Sequence, residues 1–459
     1  MPLGLYISVP FCRTKCTYCN FASDVFSRAA FEKYVSRVCE EISSAEQTAA
    51  QMGGLLDRAV DSIYFGGGTP TLLDVAQLER VFVTIRQNFE VQPGAEITLE
   101  CAPGTLSDAM LAVLIGCGVN RVSLGVQSFV DREAAAVGRL HKREGVLDDI
   151  ARLRAAGTSN INIDLIAGLP HQTRESWGYS LTEVIATGVP HASVYMLEVD
   201  EDSRLGRELL AGGEKYHAHF VPDEDLTADL YEIACDGLNA AGIQQYEISN
   251  FARARFESKH NLKYWTRQPY LGFGVDAHSM LVNDSENRHP IEREWSSNAA
   301  ATHRLGNEHE GEGHDLQSCY NEPQRLNGSA ESRAVPAIAK KSSARHYSGD
   351  GTINAVRFSN PDSLEAYVKG GTKERSLVNQ DLALQEAFFL GLRINRGVSL
   401  NQLAIDFGEV TMANHVEAIL ELVATGMLAQ QGDLICLTSR GRLLSNEVFE
   451  RFISAPSAL

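Results

Sequence analysis

Three cysteines lie close together near the start of the chain, where Cys12, Cys16 and Cys19 are spaced C-x3-C-x2-C. A loop of this length can wrap three thiolates around a compact inorganic centre. Structural zinc sites take four Cys or His ligands, and iron–sulfur clusters usually take four thiolates. Residues 20–24 supply no further soft ligand. The spacing therefore predicts an iron–sulfur cluster with one iron open to an outside ligand. The alternatives are a structural zinc knuckle and three incidental cysteines.

A glycine-rich turn, Gly66-Gly67-Gly68-Thr69, is the second segment that could carry chemistry. Glycine lets the backbone approach a ligand closely and exposes N–H and C=O groups that can hold a charged end. Such turns are common in α/β proteins, so this one is informative only in combination with the cysteine loop.

Short apolar runs alternate with helical stretches through the first half of the chain, which predicts six βα units and a parallel sheet covered by helices. In such folds the chemistry collects at the C-terminal ends of the strands, where the cysteine loop and the glycine turn both lie. The predicted strands are 5–9, 59–65, 95–100, 121–126, 160–166 and 191–197, and the helices between them are 28–44, 75–87, 107–115, 145–156 and 174–187.

The second half of the chain is less regular. Residues 284–352 are rich in Ser, Asn, Glu, Gly and His without a sustained period, which predicts a disordered insertion. Helices at 383–392, 415–425 and 441–452 with a short strand at 434–438 predict a small winged-helix-like domain. We divide the chain into a core at 1–222, a segment completing the barrel at 223–283, the insertion at 284–352 and a C-terminal domain at 353–459.

Composition narrows the function classes. The 459 residues carry a formal net charge of −18, which disfavours nucleic acid as a partner. No apolar run approaches the roughly 20 residues that span a bilayer, and the N-terminus lacks the pattern of a signal peptide. We therefore expect a cytoplasmic protein with reduced cysteines.

The cysteine spacing, directly after the apolar run 5–9, resembles the radical S-adenosylmethionine superfamily. Further segments are similar to the oxygen-independent coproporphyrinogen III oxidase family, and two of them to its HemW-type haem-chaperone branch. The segments that carry the family resemblance are 64–71, 119–129, 138–141 and 162–170, and those that carry the branch resemblance are 260–265 and 441–444.

This resemblance implies a partial (β/α)6 radical-SAM barrel with a small C-terminal helical, winged-helix-like domain. It also implies that Cys12, Cys16 and Cys19 bind a [4Fe–4S] cluster whose fourth iron chelates the methionine amine and carboxylate of S-adenosylmethionine. The implied contacts of S-adenosylmethionine are Tyr6, Tyr18, Gly68, Thr69, Glu100, Gln127, Arg139 and Asp164.

Residues 260–265 look like the HNxxYW motif of the chaperone branch, with His260, Tyr264 and Trp265 as implied haem contacts. An imidazole is a natural axial ligand of haem iron, and aromatic rings offer flat apolar surface to the macrocycle. The alternative is a hydrogen-bonded core histidine beside buried aromatic residues. Two positions depart from the family pattern, since Ala102 replaces a frequent Asn and Asp276 replaces a small residue.

Two functions remain open on the sequence. Oxidases of the family carry a further cysteine two residues after the third and an N-terminal extension, whereas this chain has Phe21 there and eleven residues before Cys12. This favours a haem chaperone over an oxidase that decarboxylates coproporphyrinogen III. The resemblance also implies haem-accepting client proteins, among them membrane respiratory enzymes, and a homodimer.

Overall fold

The computed structural model describes residues 1–283 and 353–453, so the insertion predicted at 284–352 lies outside the described residues. The strands are β1 (Leu3–Val9), β2 (Ala59–Gly67), β3 (Glu90–Cys101), β4 (Arg121–Gln127), β5 (Asn160–Ala167), β6 (His191–Met196), β7 (Gln244–Gln245), β8 (Asn250–Ala252), β9 (Tyr270–Gly274), β10 (His278–Val282), β11 (Ile353–Ser359), β12 (Glu374–Asn379), β13 (Val398–Ser399), β14 (Leu428–Gln431) and β15 (Leu434–Leu437).

The helices of the described residues alternate with the first six strands and then gather in the C-terminal part. They are α1 (Arg28–Ser43), α2 (Ala45–Met52), α3 (Val75–Asn88), α4 (Asp108–Gly116), α5 (Asp131–Ala136), α6 (Arg143–Ala155), α7 (Arg174–Thr187), α8 (Arg204–Leu210), α9 (Glu224–Ala240), α10 (Lys259–Trp265), α11 (Leu364–Val368), α12 (Gln380–Gly391), α13 (Leu400–Phe407), α14 (Glu409–Ala413), α15 (Val416–Ala424), α16 (Ser439–Leu443) and α17 (Ser445–Glu450), with 3-10 turns at Pro70–Leu72 and Lys215–Phe220.

Twelve strands form one sheet in the order β12-β11-β10-β9-β1-β2-β3-β4-β5-β6-β8-β7. The strands from β9 through β1 to β6 run parallel, and the strands on both flanks are antiparallel. The predicted α/β fold with six βα units is therefore confirmed. Strand β9, which the sequence analysis did not predict, adds a seventh parallel strand beside β1.

Apolar periodicity explains how these elements pack. Strand β1 is an apolar run whose side chains are buried at six of seven positions, as expected for a central parallel strand. Helix α1 buries Tyr34, Val35, Val38 and Ile42 on one face. Helix α3 begins at a capping box in which Asp74 and Gln77 satisfy each other's backbone N–H groups. These helices and strands share one continuous apolar core.

The C-terminal part has a core of its own, centred on stacked Phe388 and Phe452, and a three-stranded sheet ordered β13-β15-β14. The closing helix predicted at 441–452 is two short helices, α16 and α17, separated at Leu444. A buried carboxylate joins this part to the barrel, because Glu386 pairs with Arg267 at 3.0 Å and with Arg357 at 3.0 Å.

Within the two described ranges, none of the helices combines the length and apolar composition that crossing a membrane requires.

Candidate cofactor site

The cysteine loop leaves β1 at the C-terminal edge of the parallel sheet and is held there by backbone hydrogen bonds. The N–H of Cys12 donates to the carbonyl of Asp24 at 3.0 Å, and the N–H of Thr69 donates to the carbonyl of Phe11 at 2.7 Å. The ring of Phe11 is buried and stacks on Phe31 with centroids 3.8 Å apart. The loop is therefore fixed to the glycine turn on one side and to α1 on the other.

The three thiols face partly buried surroundings. Burial raises the pKa of Cys12 and of Cys19, and the charge of Cys16 adds to both increases. Iron binds the thiolate and releases the proton, so a cluster would offset this cost. Within residues 1–283 and 353–453, no group of three or more Cys, His, Asp or Glu side chains is arranged to hold a single metal ion.

The glycine turn packs so closely against the cysteine loop that a side chain would not fit. A Cβ on Gly68 would lie 2.6 Å from the carbonyl oxygen of Phe11. The Gly68 N–H donates to the carbonyl of Val9 at 2.8 Å. A Cβ on Gly66 would lie 2.9 Å from the Glu100 carboxylate. The absent side chains keep the backbone edge and this carboxylate open to a ligand.

One carboxylate, Glu100, lies beside the turn near the end of β3, and a second, Asp164, lies close to Glu100 within β5. Glu100 accepts a hydrogen bond from the Tyr64 hydroxyl at 2.9 Å, and Asp164 accepts one from Ser123 at 2.9 Å. Burial raises the pKa of Glu100 to about 7, and the charge of Asp164 adds to the rise. Burial likewise raises the pKa of Asp164. Both groups thus carry a desolvation cost that a ligand offering ammonium or hydroxyl donors would reduce.

Arg139 and Gln127 supply polar atoms that have no partner among the described residues. Arg139 donates to the Tyr18 hydroxyl at 2.9 Å, while its buried Nε makes no hydrogen bond. Gln127 is buried with a left-handed backbone φ of 69°, and its Oε1 is also unpaired. One unpaired donor and one unpaired acceptor therefore lie near the two carboxylates. A zwitterionic ligand such as S-adenosylmethionine offers partners to both. Together with the thiol loop, the donor set fits the group that the sequence implies.

The HNxxYW segment lies in helix α10, and a carboxylate from β3 caps the N-terminus of this helix. The Glu96 carboxylate accepts hydrogen bonds from the backbone N–H groups of Lys259 and His260, both at 3.1 Å. His260 is buried, and its two ring nitrogens contact the Ser62 hydroxyl at 3.0 Å and the Tyr264 hydroxyl at 2.9 Å. Burial lowers the pKa of His260 to about 3, so its ring is neutral.

Tyr264 and Trp265 have different surroundings from His260. The Tyr264 ring stands perpendicular to Tyr270, with centroids 4.6 Å apart. The guanidinium of Arg393 lies 4.4 Å from the Trp265 ring centre, a cation–π contact with the C-terminal part. The Trp265 indole N–H is buried without a hydrogen-bond partner in the described chain. Both ring nitrogens of His260 therefore have hydrogen-bond partners. The rings of Tyr264 and Trp265 instead contact Tyr270 and Arg393.

An aromatic cavity of about 280 Å³ connects the cysteine loop with the HNxxYW segment. Its wall contains Tyr264, but neither Trp265 nor His260, whose Nε2 lies 2.9 Å from the Tyr264 hydroxyl. Of this wall, only Tyr6 and Tyr264 were predicted from the sequence as ligand contacts, and Asp276 was noted as a departure from the family pattern. The lining residues are Tyr6, Ser8, Pro10, Phe21, Ala22, Gly67, Tyr264, Tyr270, Asp276 and His278.

The fold and this arrangement of residues define a member of the radical SAM superfamily. The sequence model of that superfamily matches residues 6–183, and the model of the HemN C-terminal domain matches residues 378–444. The chain belongs to the HemW family. It is 29% identical over 98% of its length to heme chaperone HemW of Lactococcus lactis, of which it covers 97%. It is 32% identical to heme chaperone HemW of Escherichia coli, over 63% of this chain and 75% of that protein.

A solved structure extends the comparison to the fold. Coproporphyrinogen III oxidase (HemN) from Escherichia coli superposes with a TM-score of 0.71 at 22% identity, over 98% of this chain and 90% of that chain. The shared architecture spans the barrel and the C-terminal part.

Proposed function

We propose that this protein is a haem chaperone that carries a [4Fe–4S] cluster and S-adenosylmethionine, binds haem and delivers it to haem-requiring proteins. The observation that carries the proposal is the aromatic cavity between the cysteine loop and Tyr264 of the HNxxYW segment. Flat apolar walls beside a polar rim suit a macrocycle with an apolar face and charged propionates. The near full-length similarity to a protein named heme chaperone HemW supports it.

The cofactor part of the proposal rests on the residues at the strand ends. Cys12, Cys16 and Cys19 would hold the cluster, which supplies an open iron for the methionine end of S-adenosylmethionine. The Arg139 guanidinium would balance a carboxylate, and the Glu100 and Asp164 carboxylates would accept from ammonium or ribose hydroxyl groups. Tyr6, Tyr18, Gly68, Thr69 and Gln127 would complete this site.

The delivery part concerns partners. Client proteins would accept haem directly from the cavity, whose rim is exposed at Phe21 and His278. We include membrane respiratory enzymes among the clients and a homodimer as the assembly, both by similarity to the HemW branch.

The test uses the full chain, reconstituted anaerobically with iron and sulfide. We expect haem titration to give a saturable Soret change and haem to pass to an apo-haemoprotein. We expect no conversion of coproporphyrinogen III in the presence of S-adenosylmethionine and a reductant. A Cys12→Ser, Cys16→Ser, Cys19→Ser variant is the matched control for the cluster. Conversion of coproporphyrinogen III in proportion to the cluster content of the protein would instead establish the oxidase function.

A further inference from the structure

The loop that follows α12 in the C-terminal part reaches both ends of helix α10. At the C-terminal end of α10, the guanidinium of Arg393 lies 4.4 Å from the centre of the Trp265 ring. At the N-terminal end the link passes through one residue, because the N–H of Asn395 donates to the carbonyl of Tyr246 at 3.0 Å. The Tyr246 hydroxyl accepts in turn from the N–H of Ser258, the N-cap of α10, at 3.2 Å. The C-terminal part therefore holds this helix at two points.

The guanidinium of Arg393 lies between an aromatic ring and a buried carboxylate. Its Nε, the indole N–H of Trp265 and one carboxylate oxygen of Glu247 are all buried without a hydrogen-bond partner in the described chain. Burial raises the pKa of Glu247, and the charge of Arg393 opposes this rise, so the two groups are close. A cation–π contact that is shielded from water is stronger than an exposed one. Arg393 is thus the cation that stabilises both the ring and the carboxylate at this junction.

Helix α10 depends on such outside contacts because it is short. It spans the seven residues Lys259–Trp265, and a helix of this length is not stable on its own in water. It carries the implied haem contacts His260 and Tyr264. A shift of the helix would break the 3.0 Å contact of His260 with Ser62 and would move Tyr264 away from the cavity wall. The placement of both residues therefore requires that the ends of α10 stay fixed.

We propose that Arg393 is a positioning residue for haem binding, which acts through Trp265 and holds α10 in the orientation that presents His260 and Tyr264. The inference rests on the proposed haem-binding function. It gives the C-terminal part a role in that function, since this part fixes the helix of the HNxxYW motif from outside the barrel.

The experiment measures the order of α10 and the binding of haem separately, in the full chain. In the cofactor-free protein, Arg393→Met should raise hydrogen–deuterium exchange of the α10 amides about tenfold, because the helix loses its outer contact. In a haem titration this variant should bind about tenfold more weakly and give a mixed Soret band, since only a fraction of the chains presents α10 correctly. Arg393→Lys keeps a cation at the ring and should stay within about threefold of the wild type in both measurements. Arg440→Met is the matched control, because Arg440 is an exposed arginine of the C-terminal part that donates to the carbonyl of Thr425.

A double variant tests whether Arg393 acts through the ring. Arg393→Met combined with Trp265→Leu should bind haem no more weakly than Trp265→Leu alone, and additive losses would exclude action through Trp265. Equal iron and sulfide content in all variants shows that the barrel is intact. If Arg393→Met unfolds because Glu247 is left buried without its cation, Arg393→Met combined with Glu247→Gln takes its place, with Glu247→Gln as the reference.

The outcomes separate this inference from the proposed function. If the wild-type chain binds no haem, the proposed function fails, whatever the exchange of the α10 amides. If the wild type binds haem and Arg393→Met equals it in exchange, affinity and Soret spectrum, the positioning role is wrong while haem binding stands. The same loss of affinity in Arg440→Met would also overturn the assignment to Arg393.

Discussion

Replacing Glu100 by glutamine should stabilise the cofactor-free protein at alkaline pH and leave it nearly unchanged in acid. Glutamine keeps the shape of the side chain and an oxygen that can accept from the Tyr64 hydroxyl. It removes a carboxylate whose pKa burial raises from 4.5 to about 7. The variant therefore isolates the cost of holding this charge beside Asp164.

The sign and size follow from the pKa. Below about pH 4.5 the carboxyl group is protonated in both the folded and the unfolded chain, so ionisation costs nothing. As pH rises to 7 the unfolded chain ionises first, and the unfolding free energy of the wild type falls. A pKa of about 7 against 4.5 corresponds to at most about 3 kcal/mol, most of which develops between about pH 5 and pH 8. The charge of Asp164 contributes to the raised pKa of Glu100, so this free energy includes the repulsion between the two carboxylates.

Urea denaturation of cluster-free wild type and variant, followed by tryptophan fluorescence, measures the difference in unfolding free energy at acidic and at alkaline pH. The fully buried Trp177 contributes to this signal. Glu90→Gln serves as the control, since Glu90 is an exposed residue of the same strand. If Glu100→Gln raised the unfolding free energy equally at acidic and alkaline pH, the interpretation of Glu100 as a desolvated carboxylate beside Asp164 would be refuted. The same variant should bind S-adenosylmethionine more weakly, which equilibrium dialysis of reconstituted protein would detect.

Two further predictions concern the cysteine loop and the C-terminal part. Gly68→Ala should lower the iron and sulfide bound per chain, because its Cβ would lie 2.6 Å from the Phe11 carbonyl oxygen. Gly178→Ala, with nothing within 4 Å, should retain full loading, and equal iron content in both would contradict the close packing. Glu386→Ala should destabilise the protein by about 3–5 kcal/mol, because Arg267 and Arg357 lose their shared partner. Calorimetry checks this against Glu365→Ala, whose ion pair is exposed, and a loss below about 1 kcal/mol would exclude the buried network.

The sequence was sufficient to predict the parallel half of the fold because each βα unit is a local pattern. Helix α7 occupies Arg174–Thr187, as predicted, since a Thr173 cap and Gly188 fix its ends. The place of Glu100 at the end of one predicted strand and of Asp164 within another was also evident, and the structure brings these two residues together. The prediction of the cluster and of its S-adenosylmethionine contacts remains a proposal.

Features that depend on distant pairing could not be read from the sequence. Four of the five residues of strand β9 are glycine or aromatic, so the segment resembles a loop, yet it lies beside β1. The contact of His260 with Ser62 spans 198 residues, so no local pattern distinguishes a saturated histidine from an available one. The cavity wall likewise combines residues from segments 6–22 and 264–278, which no local pattern connects.

The placement of β1 between β2 and β9 has a consequence for the order of assembly during synthesis. The contacts of the cysteine loop with Asp24 and Thr69 become available early in translation, whereas those with Val137 and Leu205 form later. The partner strand β9 and the cavity residue Tyr270 emerge much later. At about 5–20 residues per second, the interval from residue 9 to residue 270 takes on the order of 10–50 s. The cysteine loop and the glycine turn are therefore synthesised well before the residues that complete the cavity wall.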